Sequence, residues 1–268
     1  MKSKLKFFLA KHSFFGWLLI SIIVCGIYTG CLAFIGAEPW KYILLNLLGV
    51  FCSYMIVLST PGSIMRPAIN ALLNDCNPYP LYEATTELLK YKLNKSNANV
   101  AKINYGASLL GLGRADEAID ALLELNEEEK SLPLGAKLAY YINVSNGYFQ
   151  LNDFEKASLF YHKAVELTQG IKSKGTRARF DTVLEAARLE ELYRNGQYNE
   201  LLRSASQISA TTKNKQVTID YMSALAYIKL ENYVLAKSYL REVIKNANLF
   251  KEKALAQELL NKLENDDM

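Results

Sequence analysis

Two histidines and four cysteines are the residues of this 268-residue chain best suited to acid–base, nucleophilic or metal chemistry. An imidazole titrates near neutral pH, and a thiolate is both a nucleophile and a soft metal ligand. Neither type is spaced for such work here. His12 follows a run of lysines, and His162 sits in an amphipathic stretch beside Tyr161, with no cysteine near it. Cys25, Cys31 and Cys52 fall inside uncharged apolar segments, and Cys76 stands alone beyond them. No CxxC or Cys/His spacing occurs, so neither a zinc site nor a disulfide framework is expected. Glu127-Glu128-Glu129 reads as a solvated linker run. There is no nucleophile elbow and no phosphate loop. The expectation is therefore a chain without catalytic residues, metal or cofactor.

Charge narrows the partners. The formal net charge is +4, which Lys2, Lys4, Lys6 and Lys11 supply by themselves, since no acid lies among the first dozen residues. The remainder sums to about zero. Gripping a nucleic-acid backbone needs clustered surplus positive charge, so nucleic acid is excluded as a partner.

Two stretches carry no charged residue at all: 13–37 and 42–65. About 20 apolar residues suffice for a helix to cross a ~30 Å hydrocarbon core, which predicts spans over about 14–36 and 41–60, the second ended by Pro61-Gly62. The short GAEPWK connection makes them an antiparallel hairpin. Trp17, Trp40 and Tyr42 suit the interfacial belts, and the basic N-terminus places both ends on the cytoplasmic side of a membrane, bacterial from the Asn/Lys/Ile/Tyr-rich usage. Cleavage before Cys31, as in a lipoprotein signal, is the competing reading. Gly26 and Gly30 form a GxxxG pair for close helix approach, to the other span or to a second copy, and Asn46 is a mid-span amide in need of a hydrogen-bond partner. The spans carry no ionisable group for proton or ion transport.

Beyond the spans, short helices are predicted over 63–73 and 81–93, separated by the turn Asn77-Pro78-Tyr79-Pro80. A recurring pattern follows in residues 104–125, 145–167, 189–208 and 224–244. Each has an apolar helix, a polar turn (GLGRADEA, QLNDFEKA, RNGQYNEL, KLENYVLA) and a second amphipathic helix. Aligned on Ala118, Ala157, Leu201 and Ala236, the copies recur at intervals of 39, 44 and 35 residues. A small residue near the end of the first helix recurs as Gly106, Ser145 and Ala224, with Leu189 departing. A large one follows at Leu109, Tyr148, Leu192 and Tyr227. This resembles the tetratricopeptide repeat, a helix pair of 34 residues.

The expected fold is all-α: a two-helix transmembrane hairpin (13–60) after a basic N-terminus (1–12), then juxtamembrane helices and linker (61–99). An α-solenoid of about four helix pairs (100–268) completes it, with 250–263 as the C-terminal cap. The resemblance implies a concave face lined by the first helix of each pair, presenting Asn104, Asn143, Asn146, Phe149, Glu190, Tyr193, Tyr221, Met222 and Ile228 to a protein or peptide partner. It also weakens one specialised use. At the positions where some relatives clamp a terminal carboxylate stand Ile103, Ala107, Asn143, Val183 and Ala187, so the basic members of that clamp are missing. The function implied is a membrane-anchored scaffold that recruits a protein; the alternative is an accessory subunit docked in a larger membrane complex through its hairpin.

Overall fold

The structure, a computed structural model, describes residues 13–34, 38–91, 93–125 and 131–265. His12, the N-terminal lysines and Glu127-Glu128-Glu129 lie outside them. Among the described residues the regular elements are α-helices, with no strand. The long ones are α1 (Ser13–Phe34) and α2 (Pro39–Asn74), followed by α3 (Tyr79–Leu89). Four pairs come next: α4 (Lys95–Gly111) with α5 (Ala115–Leu123), α6 (Leu134–Gln150) with α7 (Phe154–Gln169), α8 (Lys174–Arg194) with α9 (Tyr198–Gln207), and α10 (Lys213–Lys229) with α11 (Tyr233–Asn246). The last helix is α12 (Lys251–Asn265). The chain divides into two compact units, residues 1–67 with 84–98, and residues 68–83 with 99–268.

In the first unit α1 and α2 pack antiparallel, and their seam includes polar contacts. Trp17 Nε1 donates to the Val50 carbonyl at 3.4 Å and its ring meets Tyr54 edge-on. The Ser21 and Ser53 hydroxyls stand 2.6 Å apart, both buried. Asn46 Nδ2 donates to Thr29 Oγ1 at 3.2 Å and to the Tyr42 carbonyl at 2.8 Å, the inter-helix partner expected of that amide. The large apolar side chains point the other way: Ile43 is 66% exposed, Leu47 64% and Ile22 61%. Large apolar side chains thus face outward from this seam.

Among the described residues no helix is long and apolar enough to cross a membrane. The expected transmembrane spans 14–36 and 41–60 are therefore not supported by the described residues.

Two further expectations are corrected. Gly26 and Gly30 do not join the spans: both are exposed, and a Cβ on either would meet nothing within 4 Å. Close approach falls instead to Gly49, where a Cβ would lie 2.9 Å from Val24 Cγ1. Nor does Pro61-Gly62 end the second helix, because α2 runs on to Asn74 and absorbs the separate 63–73 helix. A proline removes one backbone hydrogen bond, but Met65, Ala68 and Leu72 are buried at helical spacing beyond it and hold the helix together. The stop comes at Cys76, whose φ of 48° makes it the left-handed residue of a C-terminal cap in which Asn77 N–H bonds the Ala71 carbonyl at 3.0 Å.

In the second unit the sequence repeat becomes a geometric one. Gly113, Asn152, Gly196 and Glu231 all have positive φ, at the same intervals as the aligned sequence positions. After each, the next residue's N–H closes a bond five residues back: Arg114 to Leu109, Asp153 to Tyr148, Gln197 to Leu192 and Asn232 to Tyr227, at 2.9–3.0 Å. Two of the second helices are then capped by side chains, Asp153 accepting from Lys156 N–H and Asn232 from Leu235 N–H. Ala118, Ala157, Leu201 and Ala236 have no exposed surface, and Ser145 Oγ reaches the Ala157 carbonyl at 2.8 Å. Three pairs therefore pack where small residues let two backbones approach, while α8–α9 meets through Leu189 and Leu201.

The fourth turn is the costly one. A left-handed glutamate is strained by about 1–2 kcal/mol relative to its usual conformations, and glycine repays part of that as chain entropy. Glu231→Gly is expected to stabilise by about 0.5–1 kcal/mol, whereas Asn152→Gly is near neutral because asparagine tolerates the conformation. Urea unfolding of both variants checks this; equal shifts for the two would contradict it.

Candidate partner-binding groove

The first helices of the pairs carry the residues that line two cavities of the second unit. The smaller, of about 350 Å³, takes Asn104 from α4 and Asn143, Asn146 and Gln150 from α6. The larger, of about 620 Å³, takes Phe149 from α6, Tyr193 from α8, and Tyr221 and Leu225 from α10. Gln150 borders both. One register thus yields an amide-rich recess and an aromatic one. The helical period explains the split: positions 143, 146 and 150 share one stripe of α6, and Phe149 lies to its side.

Hydrogen bonds hold the amides in place. Asn143 Nδ2 donates to the Ile103 carbonyl at 3.3 Å. Gln150 Nε2 donates to Asn146 Oδ1 at 2.6 Å, and Asn146 Nδ2 donates to Glu190 Oε1 at 3.2 Å. The aromatic recess is built by contact, with Phe149 edge-on to Tyr193 and tilted against Phe154, and Tyr193 against Tyr198. Burial, with Glu252 and Tyr193 nearby, pushes the Tyr221 phenol well above its ordinary range, so it stays neutral at physiological pH.

Six of the expected groove residues line these cavities: Asn104, Asn143, Asn146, Phe149, Tyr193 and Tyr221. Two do not. Met222 is buried in the core with Leu189, Leu201 and Ile219. Glu190 is buried beneath the groove, bonded to Asn146. Burial pushes its carboxyl up to about 7, opposed by Lys251 and Arg194 and reinforced by Glu252. Two arginines of α8 are paired locally: Arg188 with Glu200, and Arg194 with Glu191 and the Phe154 carbonyl.

What sequence reasoning missed comes from the end of the chain. Phe250 and Glu252 line the smaller cavity, and Lys251, Ala254 and Leu255 the larger. The predicted cap does cap, through Ala256 and Leu260. Its first turn also walls the groove, because the preceding turn reaches the opposite end of the unit. Leu249 N–H bonds the Cys76 carbonyl at 3.2 Å, and Asn248 Nδ2 bonds the Asp75 carbonyl at 2.8 Å. No local pattern near residue 250 signals a contact some 170 positions distant. Burial at this clasp, opposed by Lys213 and reinforced by Glu252 and Asp75, pushes the Cys76 thiol up to about 11, so it is inert at neutral pH.

His162 is exposed, with Nε2 3.9 Å from Glu191 Oε1, the same oxygen that accepts from Ser158 Oγ at 3.3 Å. The carboxylate stands between hydroxyl and imidazole, whereas a serine nucleophile needs the imidazole in the middle. Among the described residues no group of His, Cys, Asp and Glu is arranged to hold a metal ion.

No curated protein and no solved structure matches the chain. The sequence model of the tetratricopeptide repeat matches residues 138–170 and 221–248. These fall in the α6–α7 and α10–α11 pairs, and the same turn geometry recurs in α4–α5 and α8–α9. The chain is an all-α protein carrying tetratricopeptide repeats, a scaffold architecture for protein–protein interaction.

Proposed function

We propose that this chain is a membrane-anchored scaffold that recruits a protein to the cytoplasmic face through the groove of its repeats. The observation that carries the reading is the pairing of a helical hairpin whose large apolar side chains face outward with a two-part recess of amides and aromatics. The amides suit an extended backbone and the aromatics an apolar side chain. Anchoring the groove in a surface raises the effective concentration of any partner confined there. The uncharged composition of 13–37 and 42–65, and the outward Ile and Leu side chains, support the anchor; the N-terminal lysines support the orientation. No catalytic role is assigned.

Gly26 and Gly30 favour a second reading. Exposed and with clear space around them, they leave one face of α1 open to another membrane helix, as an accessory subunit needs.

Photo-crosslinking in native membranes tests both. Probes at Asn143 and Tyr221 are expected to capture one dominant protein that a probe at exposed Glu166 does not. Capture at Gly26 alone, persisting after removal of residues 77–268, would replace the scaffold by the subunit. A C-terminal tag digested from outside sealed cells would refute the orientation.

A further inference from the structure

The two cavities differ in charge. Among its described lining residues the smaller has one charged side chain, Glu252, while Lys251 and Asp116 belong to the larger. Glu252 sits in the first turn of α12. Its Oε1 lies 3.5 Å from Lys251 Nζ. Its Oε2 is buried with no hydrogen-bond partner among the described residues. A buried acceptor left without a donor costs about 1–3 kcal/mol, and more when charged. The terminal torsion of glutamate is broad and twofold, so a small rotation offers that oxygen to a donor arriving in the cavity.

We propose that the smaller cavity binds a primary ammonium group carried on a peptide. The ammonium meets the Glu252 carboxylate, and the adjoining peptide units meet the amides of Asn143, Asn146 and Gln150. An ammonium brings three donors and no acceptor, which matches a carboxylate short of one donor. Side-chain amides donate and accept, as peptide units do. A cavity of about 350 Å³ holds a short chain end rather than a folded domain. The inference rests on the groove being a binding site, and adds which chemistry its narrower half selects.

Three probes separate the sources of the ammonium: trialanine amide with a free α-amine, its N-acetyl form, and N-acetyl-Ala-Lys-Ala amide. Each is titrated by calorimetry into the full chain in detergent micelles, native and Glu252→Gln. At least one charged peptide is expected to bind about tenfold or more tighter than acetyl-trialanine amide, a charge-assisted bond being the difference. In Glu252→Gln that preference should vanish while the acetylated peptide binds as before. Preference for trialanine amide assigns an α-amine, and preference for the lysine peptide a side chain. Glu252→Asp retains the charge, and keeps the preference if the fold is intact. Equal binding of charged and acetylated peptides, a preference that survives Glu252→Gln, or no binding of any probe at about 10 mM overturns the inference. Capture at Tyr221 without an ammonium preference leaves the groove reading standing and removes this one; loss of both removes both.

Discussion

Replacing Glu190 by glutamine is expected to flatten the dependence of stability on pH between about 4.5 and 7. The carboxyl is buried against Asn146, with Lys251, Arg194 and Glu252 as the charged groups around it, and burial raises it from 4.5 in the unfolded chain to about 7 in the folded one. The direction follows from the protons bound. Below the unfolded value both states hold the proton and folding costs nothing extra. As pH rises toward 7 the unfolded chain releases it first, so folded stability falls, and above 7 the full penalty is present. A shift of that size corresponds to about 3 kcal/mol. A glutamine still accepts from Asn146 and never ionises. The variant should therefore match the native chain near pH 4 and exceed it by about 2–3 kcal/mol at pH 8. Chemical denaturation of both chains in detergent micelles across this range measures the difference, in which the other titrating groups cancel. A native chain that gains stability over the same window, or a variant with the same slope, would falsify the assignment.

The second large effect is steric. Gly106→Ala places a Cβ 2.7 Å from Leu122 Cγ and within 3.0 Å of both its methyl carbons, and Leu122 has no exposed surface to retreat to. Alanine gains about 1 kcal/mol over glycine in a helix interior, but overpacking a closed core costs about 1–3 kcal/mol. The clash is with the branching carbon, not with the end of a flexible side chain, so overpacking wins. Destabilisation of about 1–2 kcal/mol is expected after both effects. Gly175→Ala in α8, where an added Cβ meets nothing within 4 Å, serves as the control and should be neutral or slightly stabilising. Leu122→Ala in the Gly106→Ala background should cost less than it does alone, because the two positions share one space. Thermal unfolding of the four variants decides the point.

Both results bear on the same structural fact: the groove and the core beneath it are one object. Glu190 sits under the amide recess, and Gly106 sets how closely α4 approaches α5. A partner that rearranged Asn146 would therefore alter the environment of Glu190, and binding would be linked to its protonation.

By itself the sequence determined the helices of the repeats, their order and their register. Those follow from short-range physics: an apolar stripe at 3.6-residue spacing, a turn whose left-handed residue recurs at Gly113, Asn152, Gly196 and Glu231, and small residues where two helices touch. The register carried across from the family resemblance placed six groove residues on the cavities. It failed at Glu190 and Met222, which lie on the boundary between stripes, where a rotation of a few tens of degrees sets burial. Local pattern failed at Pro61-Gly62, because a local breaker was outweighed by burial further along α2. Only the tertiary structure decided that Gly49 rather than Gly26 and Gly30 lies in the hairpin seam, and that Phe250 and Glu252 close the groove. Those are contacts between segments far apart in sequence, governed by how successive helix pairs accumulate rotation, and no single stretch of residues encodes that sum.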